Sequence, residues 1–399
     1  MKFREYMARF DAAATPEHAI ERGFYVERLG RSVADEIAAR IELRPTSTHL
    51  LVGGVGSGKT TQILVAHKRL GKVADLVAIY CDVSARHDIG RLVPGVLVAI
   101  AGLEISNIPD MEEDQEVFRA RQFFKHLADG YVEDESDWHE RLSEKHIRDA
   151  YQKGVLSPSR PLSEHNSEYW LLSHAPDRLV DLSRSVETRG RHIVVLFDSL
   201  DRVGDAALFE RVVQQDVAAL RQADIGVVLV GPLRSMYGTD RTIVDRFDYF
   251  YYQPCVDAQQ DAAGLDFLLR VLRARAATDI LPDASCRRLA EYSGGVLRDL
   301  ISLAQAAGEE AYLAGTDTIT EAHVETAADA FGRKHLLGLG PDELEGLQRV
   351  RTKGIFVQTS DKDLALLVTR RVLEYQNGRP RYAVHPTIRP LLEQLAEKP

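Results

Sequence analysis

The sequence predicts an α/β fold: a parallel sheet with helices on both faces, followed by a helical region and a small C-terminal module. Three observations lead there. Short apolar runs alternate with helical patterns up to about residue 256, as expected of parallel strands covered on both sides. From Pro254 to about residue 331 only helical periodicity is present. After that come two helical stretches and two strand-like runs separated by Asn377-Gly378, a strong hairpin-turn signal.

In chain order, a helix is expected over 27–41, with Val33, Ile37 and Ile41 on one face. A buried strand follows at 48–52 and ends in glycines, then a helix over 60–70 stopped by Gly71, then a strand at 76–80. Residues 104–190 break this rhythm. They hold the acidic run 133–137 and a Pro/Ser stretch at 157–161, and read as a helical insertion. Strands return at 192–197, 225–230 and 249–253. Four helices over 264–276, 284–292, 297–313 and 320–330 would form a helical lid. Helices at 341–351 and 361–371 and strands at 372–375 and 381–384 have the order of a winged helix-turn-helix. The expected domains are therefore 1–256, 257–332 and 333–399.

With 399 residues, 45% hydrophobic and 28% charged, the chain has the composition of a folded protein with more than one core. A net charge of −10 excludes a global basic footprint for nucleic acid or anionic membrane. The charge is uneven: 11 Lys/Arg against 19 Asp/Glu in 104–190 give −8, and 12 against 8 in 333–399 give +4. Cys81, Cys255 and Cys286 are too scattered for a disulfide framework or a zinc site. The charged first residues lack a signal-peptide core, and the apolar run 92–103 contains Pro94 and falls short of the ~20 residues of a spanning helix. The expectation is a cytoplasmic protein without a membrane partner.

The chemistry is concentrated in Gly53-Gly54-Val55-Gly56-Ser57-Gly58-Lys59-Thr60, which fits G-x-x-x-x-G-K-[ST] between a strand and a helix. Such a P-loop cradles phosphates with successive backbone N–H groups, which requires residues free to curl tightly. A helix N-terminus adds partial positive charge. Lys59 would reach the β/γ-phosphates, the Thr60 hydroxyl would ligate Mg²⁺, and Thr61 completes the nucleotide-binding set. A carboxylate at the end of a neighbouring strand should steady the metal; the run 192–197 ends in Asp198, which fits that role. The fold class is thus that of a P-loop NTPase.

Asp198-Ser199-Leu200-Asp201-Arg202 resembles the acidic strand end of STAND ATPases, the NACHT and related signalling NTPases, and of the KAP group. The resemblance implies a small residue after the first acid and a second acid three positions on, here Asp201; either Asp201 orients the water or hydrolysis is slow and the protein is a nucleotide-gated switch. Ordinary AAA+ proteins carry Glu directly after the Asp, where this chain has Ser199. Ser293-Gly294-Gly295-Val296-Leu297-Arg298-Asp299-Leu300 is similar to the sensor 2 segment of initiator-type AAA+ ATPases, with Arg298 matching the γ-phosphate sensor. By the same likeness Arg246, with Arg241 in reserve, is the candidate arginine finger. Arg234 is the candidate near the sensor 1 position, where Gly231-Pro232 departs from the usual polar residue. Phe24 would pack on adenine or in a core.

The resemblance implies an ATP- and Mg²⁺-dependent switch of AAA+/STAND type that hydrolyses ATP slowly or on stimulation. It would act as a homo-oligomer or with a partner protein, in bacterial defence signalling by preference. Two alternatives stand beside it: an ATP-dependent DNA-binding regulator using the winged helix, with Arg379 and Arg381 near phosphates, and a scaffold that holds nucleotide without turnover. ATP over GTP rests on the resemblance, since no guanine-reading N-K-x-D is present.

Overall fold

The computed structural model describes residues 2–11, 15–28, 30–109, 115–129, 166–237, 241–358, 360–377 and 379–396. The acidic run 133–137, the stretch 157–161 and Gly378 lie outside the described residues.

Five strands make one sheet: β1 (Thr48–Gly53), β2 (Leu76–Asp82), β3 (His192–Asp198), β4 (Gly226–Val230) and β5 (Tyr249–Gln253), in the order β2-β3-β4-β1-β5. The pairs β2/β3, β3/β4 and β4/β1 are parallel, with Cys81 opposite Phe197, Phe197 opposite Leu229, and Leu51 opposite Val230. This register brings the C-terminal ends of four strands to one edge. Strands β1 and β4 are buried along their whole length, as is β3 beyond His192, which explains their unbroken apolar sequences. One expectation is corrected: β3 is not the neighbour of β1, because β4 lies between them. Apolar runs of similar length identify strands but carry no label for their order.

Contacts divide the chain into two compact units. One comprises Val33–Val52 and Ile63–Tyr251 and contains most of the sheet. Within it the expected helix over 27–41 begins only at Val33 and ends at Leu43, since 24–28 are non-helical and Gly30 is left-handed at φ 92°. The lipid-like run forms the helix Val96–Ile105, buried on nearly every side, so its hydrophobicity serves a protein core. Gly95 N and Leu97 N at its start donate to the buried Asp216 carboxylate at 2.6 and 2.8 Å. The described part of the insertion is helical, at Gln115–Asp129 and Asn166–Glu187. Gly102 lets the Phe124 ring in, where any β-carbon would stand 2.2 Å away.

The other unit comprises Met1–Ser32, Gly53–Gln62 and Tyr252–Pro399. Helices Ala262–Arg273, Asp283–Tyr292, Leu297–Leu313 and Glu321–Leu336 bury a shared core. Into it insert Tyr6 and Phe10 from the N-terminal helix Lys2–Arg9 and the residue after it, an element sequence periodicity does not reveal. The Tyr6 hydroxyl donates to Ala304 O at 2.8 Å. The C-terminal segment folds as helices Pro341–Lys353 and Asp361–Val368 and an antiparallel hairpin of β6 (Val372–Asn377) and β7 (Arg379–Val384). A last helix, Arg389–Ala396, is unanticipated.

Candidate nucleotide site

The loop after β1 turns at Gly56 and Gly58, left-handed at φ 80° and 99°. These are conformations that only glycine adopts at little cost. A β-carbon on Gly53 would stand 2.4 Å from Gln253 O, so this glycine is needed for close backbone approach. The next helix opens directly at Lys59, whose ammonium donates to Gly53 O and Gly54 O at 3.0 Å each. Lys59 is only 4% exposed. The Ser57 hydroxyl is buried and finds no hydrogen-bond partner among the described residues. A buried lysine resting on its own loop's carbonyls beside an unsatisfied hydroxyl is a cradle suited to an anion. Thr60 and Thr61 are half-buried in the first helical turn, where a hydroxyl can serve as a metal ligand.

The helix Leu297–Leu313 reaches the same loop. Arg298 N donates to Gly56 O at 3.3 Å, and Leu297 Cδ1 would stand 3.0 Å from a β-carbon on Gly58. The backbone that holds this approach is tight: Gly295 is left-handed at φ 77°, with room for no β-carbon against Val256 O, and Val256 N donates to Gly295 O at 3.1 Å. Arg298 is thus brought to the loop with its side chain exposed.

One residue at the loop was not anticipated. Arg370 Nη1, from the turn after the helix Asp361–Val368, would stand 3.3 Å from a β-carbon on Gly56. It also lies 3.4 Å from Asp299 Oδ1. Asp299 is 1% exposed, and its other oxygen lies 3.5 Å from Nε2 of the fully buried His385. His385 is interior, bonded to the Thr387 hydroxyl at 2.8 Å and stacked on His335. No local sequence signal marks Arg370, because its proximity to Gly56 arises from distant segments.

In the other unit, Asp198 ends β3 with its carboxylate accepting from Ser199 N at 2.7 Å and from the Tyr80 hydroxyl at 3.0 Å. Ser199 is left-handed at φ 70°, a conformation uncommon outside glycine that turns the chain sharply after the acid. Asp201 follows, half-buried, in the 3-10 turn Leu200–Arg202. A second strand-end acid, Asp82, stands opposite Asp198 in register. Burial acts to raise the Asp82 pKa, but hydrogen bonds from the Ser84 and Ser199 side chains and the Ser84 amide, with the Arg202 charge, outweigh it and hold Asp82 below the usual carboxylate range. Asp82 was legible: an apolar run ending in Asp-x-Ser marks a strand end and an Asx turn.

Arg246 lies exposed in the 3-10 segment Arg241–Arg246. Nearby Asp248 bonds Arg221 at 2.7 Å and Thr48 N and Oγ1 at 2.9 Å each. Arg234 is half-buried after Gly231-Pro232. Phe24 packs under the Arg275 guanidinium, 5.0 Å from its ring centroid. The C-terminal arginine expected near DNA phosphates is otherwise engaged: Arg381 bonds the 2%-exposed Asp257 at 2.6 Å and lies 4.3 Å over the Tyr375 ring. In the helix Asp361–Val368, Asp363 is tied to Arg349 at 3.0 Å, and Lys362 to Asp342 at 2.7 Å. Among the described residues no three His, Cys, Asp or Glu side chains cluster as a metal site, and no helix is long and apolar enough to cross a membrane.

No protein-family model matches the chain, and no curated protein matches it. Solved structures do. Cdc6p from Pyrobaculum aerophilum is 13% identical, with a TM-score of 0.39, covering 93% of this chain and 97% of its own. The Thermotoga maritima RuvB Holliday junction branch migration motor is 13% identical, with a TM-score of 0.44, covering 93% and 98%. The Aeropyrum pernix ORC1 protein, solved in complex with DNA, is 15% identical, with a TM-score of 0.39, covering 92% and 93%. At these identities and TM-scores the likeness adds nothing to the functional reading, which rests on this chain's own residues.

Proposed function

We propose that the protein is a Mg²⁺-dependent ATP-binding and ATP-hydrolysing switch of the AAA+/STAND kind. The observation that carries this reading is the glycine loop at the start of a helix. There Lys59 is buried against loop carbonyls beside the Ser57 hydroxyl, which has no partner among the described residues. Residues Gly53 to Gly58 would bind the phosphates through backbone N–H groups, and Lys59 would exchange its carbonyl partners for phosphate oxygens. Thr60 and Asp198 would hold the metal, which when bound neutralises charge on the phosphoryl group.

Asp201 is the acid assigned to water, and slow or stimulated turnover follows from Ser199 standing where a catalytic glutamate would. Arg298, already at Gly56, is the γ-phosphate sensor in this reading, and exposed Arg246 is available to a second subunit. The C-terminal winged helix is proposed as a brace for the lid, in accord with the engagement of Arg381 by Asp257, and signalling as the setting. The test is equilibrium binding of Mg-ATP and phosphate release by the intact chain and by Lys59→Ala. Equal binding or equal turnover by the two would refute the proposal.

A further inference from the structure

We infer that Arg370 is an additional cationic ligand of the phosphate site, supplied by the C-terminal module, with Asp299 as the partner that an anion would displace. The inference rests on the nucleotide reading of the loop and adds a residue that sequence reasoning did not reach.

Three observations carry it. First, Arg370 Nη1 stands at Gly56, the left-handed apex of the glycine loop, at 3.3 Å from where a β-carbon would be. Second, that nitrogen is buried yet makes no hydrogen bond among the described residues, its approach to Asp299 Oδ1 at 3.4 Å being an ion contact only. Asp299 Oδ2 is likewise buried and without a hydrogen bond, at 3.5 Å from His385 Nε2. A guanidinium nitrogen and a carboxylate oxygen that are each buried without a hydrogen bond are under-satisfied, although the Arg370 side chain as a whole is 19% exposed, and this favours exchange for a better partner. Third, Arg370 is left-handed at φ 63°, a backbone state costly for an arginine, so its direction is imposed by the fold around it.

A polyphosphate oxygen at the loop offers what Asp299 does not: an acceptor in line with a planar fork of donors. Anion binding would therefore draw Arg370 toward Gly56 and away from Asp299. Nearby polar groups on the packed elements include Arg298 and Asp299 on one helix, His385 after β7, His335 at the end of the helix Glu321–Leu336, and Arg371, which donates to His335 O. Of these cations, only Arg298 and Arg370 adjoin the loop.

The test compares Arg370→Gln with Asp299→Asn in the full chain, measuring affinity for Mg-ATP and for Mg-ADP, with urea unfolding alongside. An arginine acting as anion ligand predicts that only the arginine variant weakens binding. Arg370→Gln should weaken ATP binding about 10- to 100-fold, the effect of one charge-assisted hydrogen bond. Asp299→Asn, which removes the competitor, should leave affinity unchanged or tighten it. If Arg370 merely anchors the module through Asp299, both variants break the same pair and shift ATP affinity alike. That outcome, or unaltered binding by Arg370→Gln, overturns the inference while leaving the nucleotide reading intact. Failure of the parent chain to bind either nucleotide would instead remove the reading beneath it, and the inference with it.

Discussion

Replacing Gly56 by alanine tests the loop geometry most directly, because two separable costs meet at that residue. The left-handed backbone at φ 80° costs a residue with a β-carbon about 1–2 kcal/mol. The methyl would also stand 2.9 Å from both Arg298 Cβ and Val296 Cγ1, closer than real contacts allow, and neither neighbour is the far end of a flexible chain. Overpacking of that kind adds about 1–3 kcal/mol. The expected loss is therefore about 2–5 kcal/mol, the two contributions taken together. Gly315 provides the control: it too is left-handed, at φ 70°, but a β-carbon there meets nothing within 4 Å, so Gly315→Ala should show the backbone cost alone. Urea unfolding of the parent and both variants measures the difference, and ATP binding reports the loop. The reasoning is refuted if Gly56→Ala is no more destabilising than Gly315→Ala, or if it binds ATP as the parent does.

The remaining predictions are briefer. Lys59→Ala should weaken ATP binding at least tenfold, since it removes a charge-assisted contact, and calorimetric titration checks it. Asp198→Asn should spare much of the metal-free binding and diminish the gain from added Mg²⁺; an unchanged Mg²⁺ dependence would withdraw the metal role. Asp216 is raised to about 7 by burial, against the amides of Gly95, Leu97 and Val98 that favour its charge. Because the folded value lies above the unfolded one, its contribution is full below about pH 4 and is lost as pH rises through about 7. Asp216→Asn should accordingly gain stability relative to the parent across that interval, as thermal melts at several pH values would show. Asp248 has the opposite sense: burial raises its pKa, but the Thr48 amide and hydroxyl and Arg221 outweigh that and lower it. Its stabilisation is complete above the unfolded value near pH 4 and fades as pH falls below it, so Asp248→Asn should cost stability at neutral pH and nothing in acid.

Much of this architecture was legible because its cause is local. The glycine loop is a contiguous string whose φ values and helix start follow from neighbouring residues. β3 and β4 are unbroken apolar runs because both of their faces are covered. The hairpin strands pair antiparallel on either side of the Asn377-Gly378 signal, a cue carried by two adjacent residues. Other features lacked such a cause. The N-terminal helix Lys2–Arg9 is short and charged, and its order depends on Tyr6 and Phe10 finding a core built from residues 256–328. Arg381 looked like a surface arginine of a wing until Asp257, remote in sequence, proved to be its partner.

The amino-acid string by itself determined the strand and helix alternation, the glycine loop with Lys59, and the acid closing β3. Each depends on periodicity, backbone freedom or chain adjacency, which act over a few residues. Tertiary structure alone decided that β4 separates β1 from β3, that Asp82 pairs in register with Asp198, and that Arg298 and Arg370 both arrive at Gly56. Those outcomes depend on which distant surfaces bury one another and which buried charges find partners, and no short stretch of sequence contains that information.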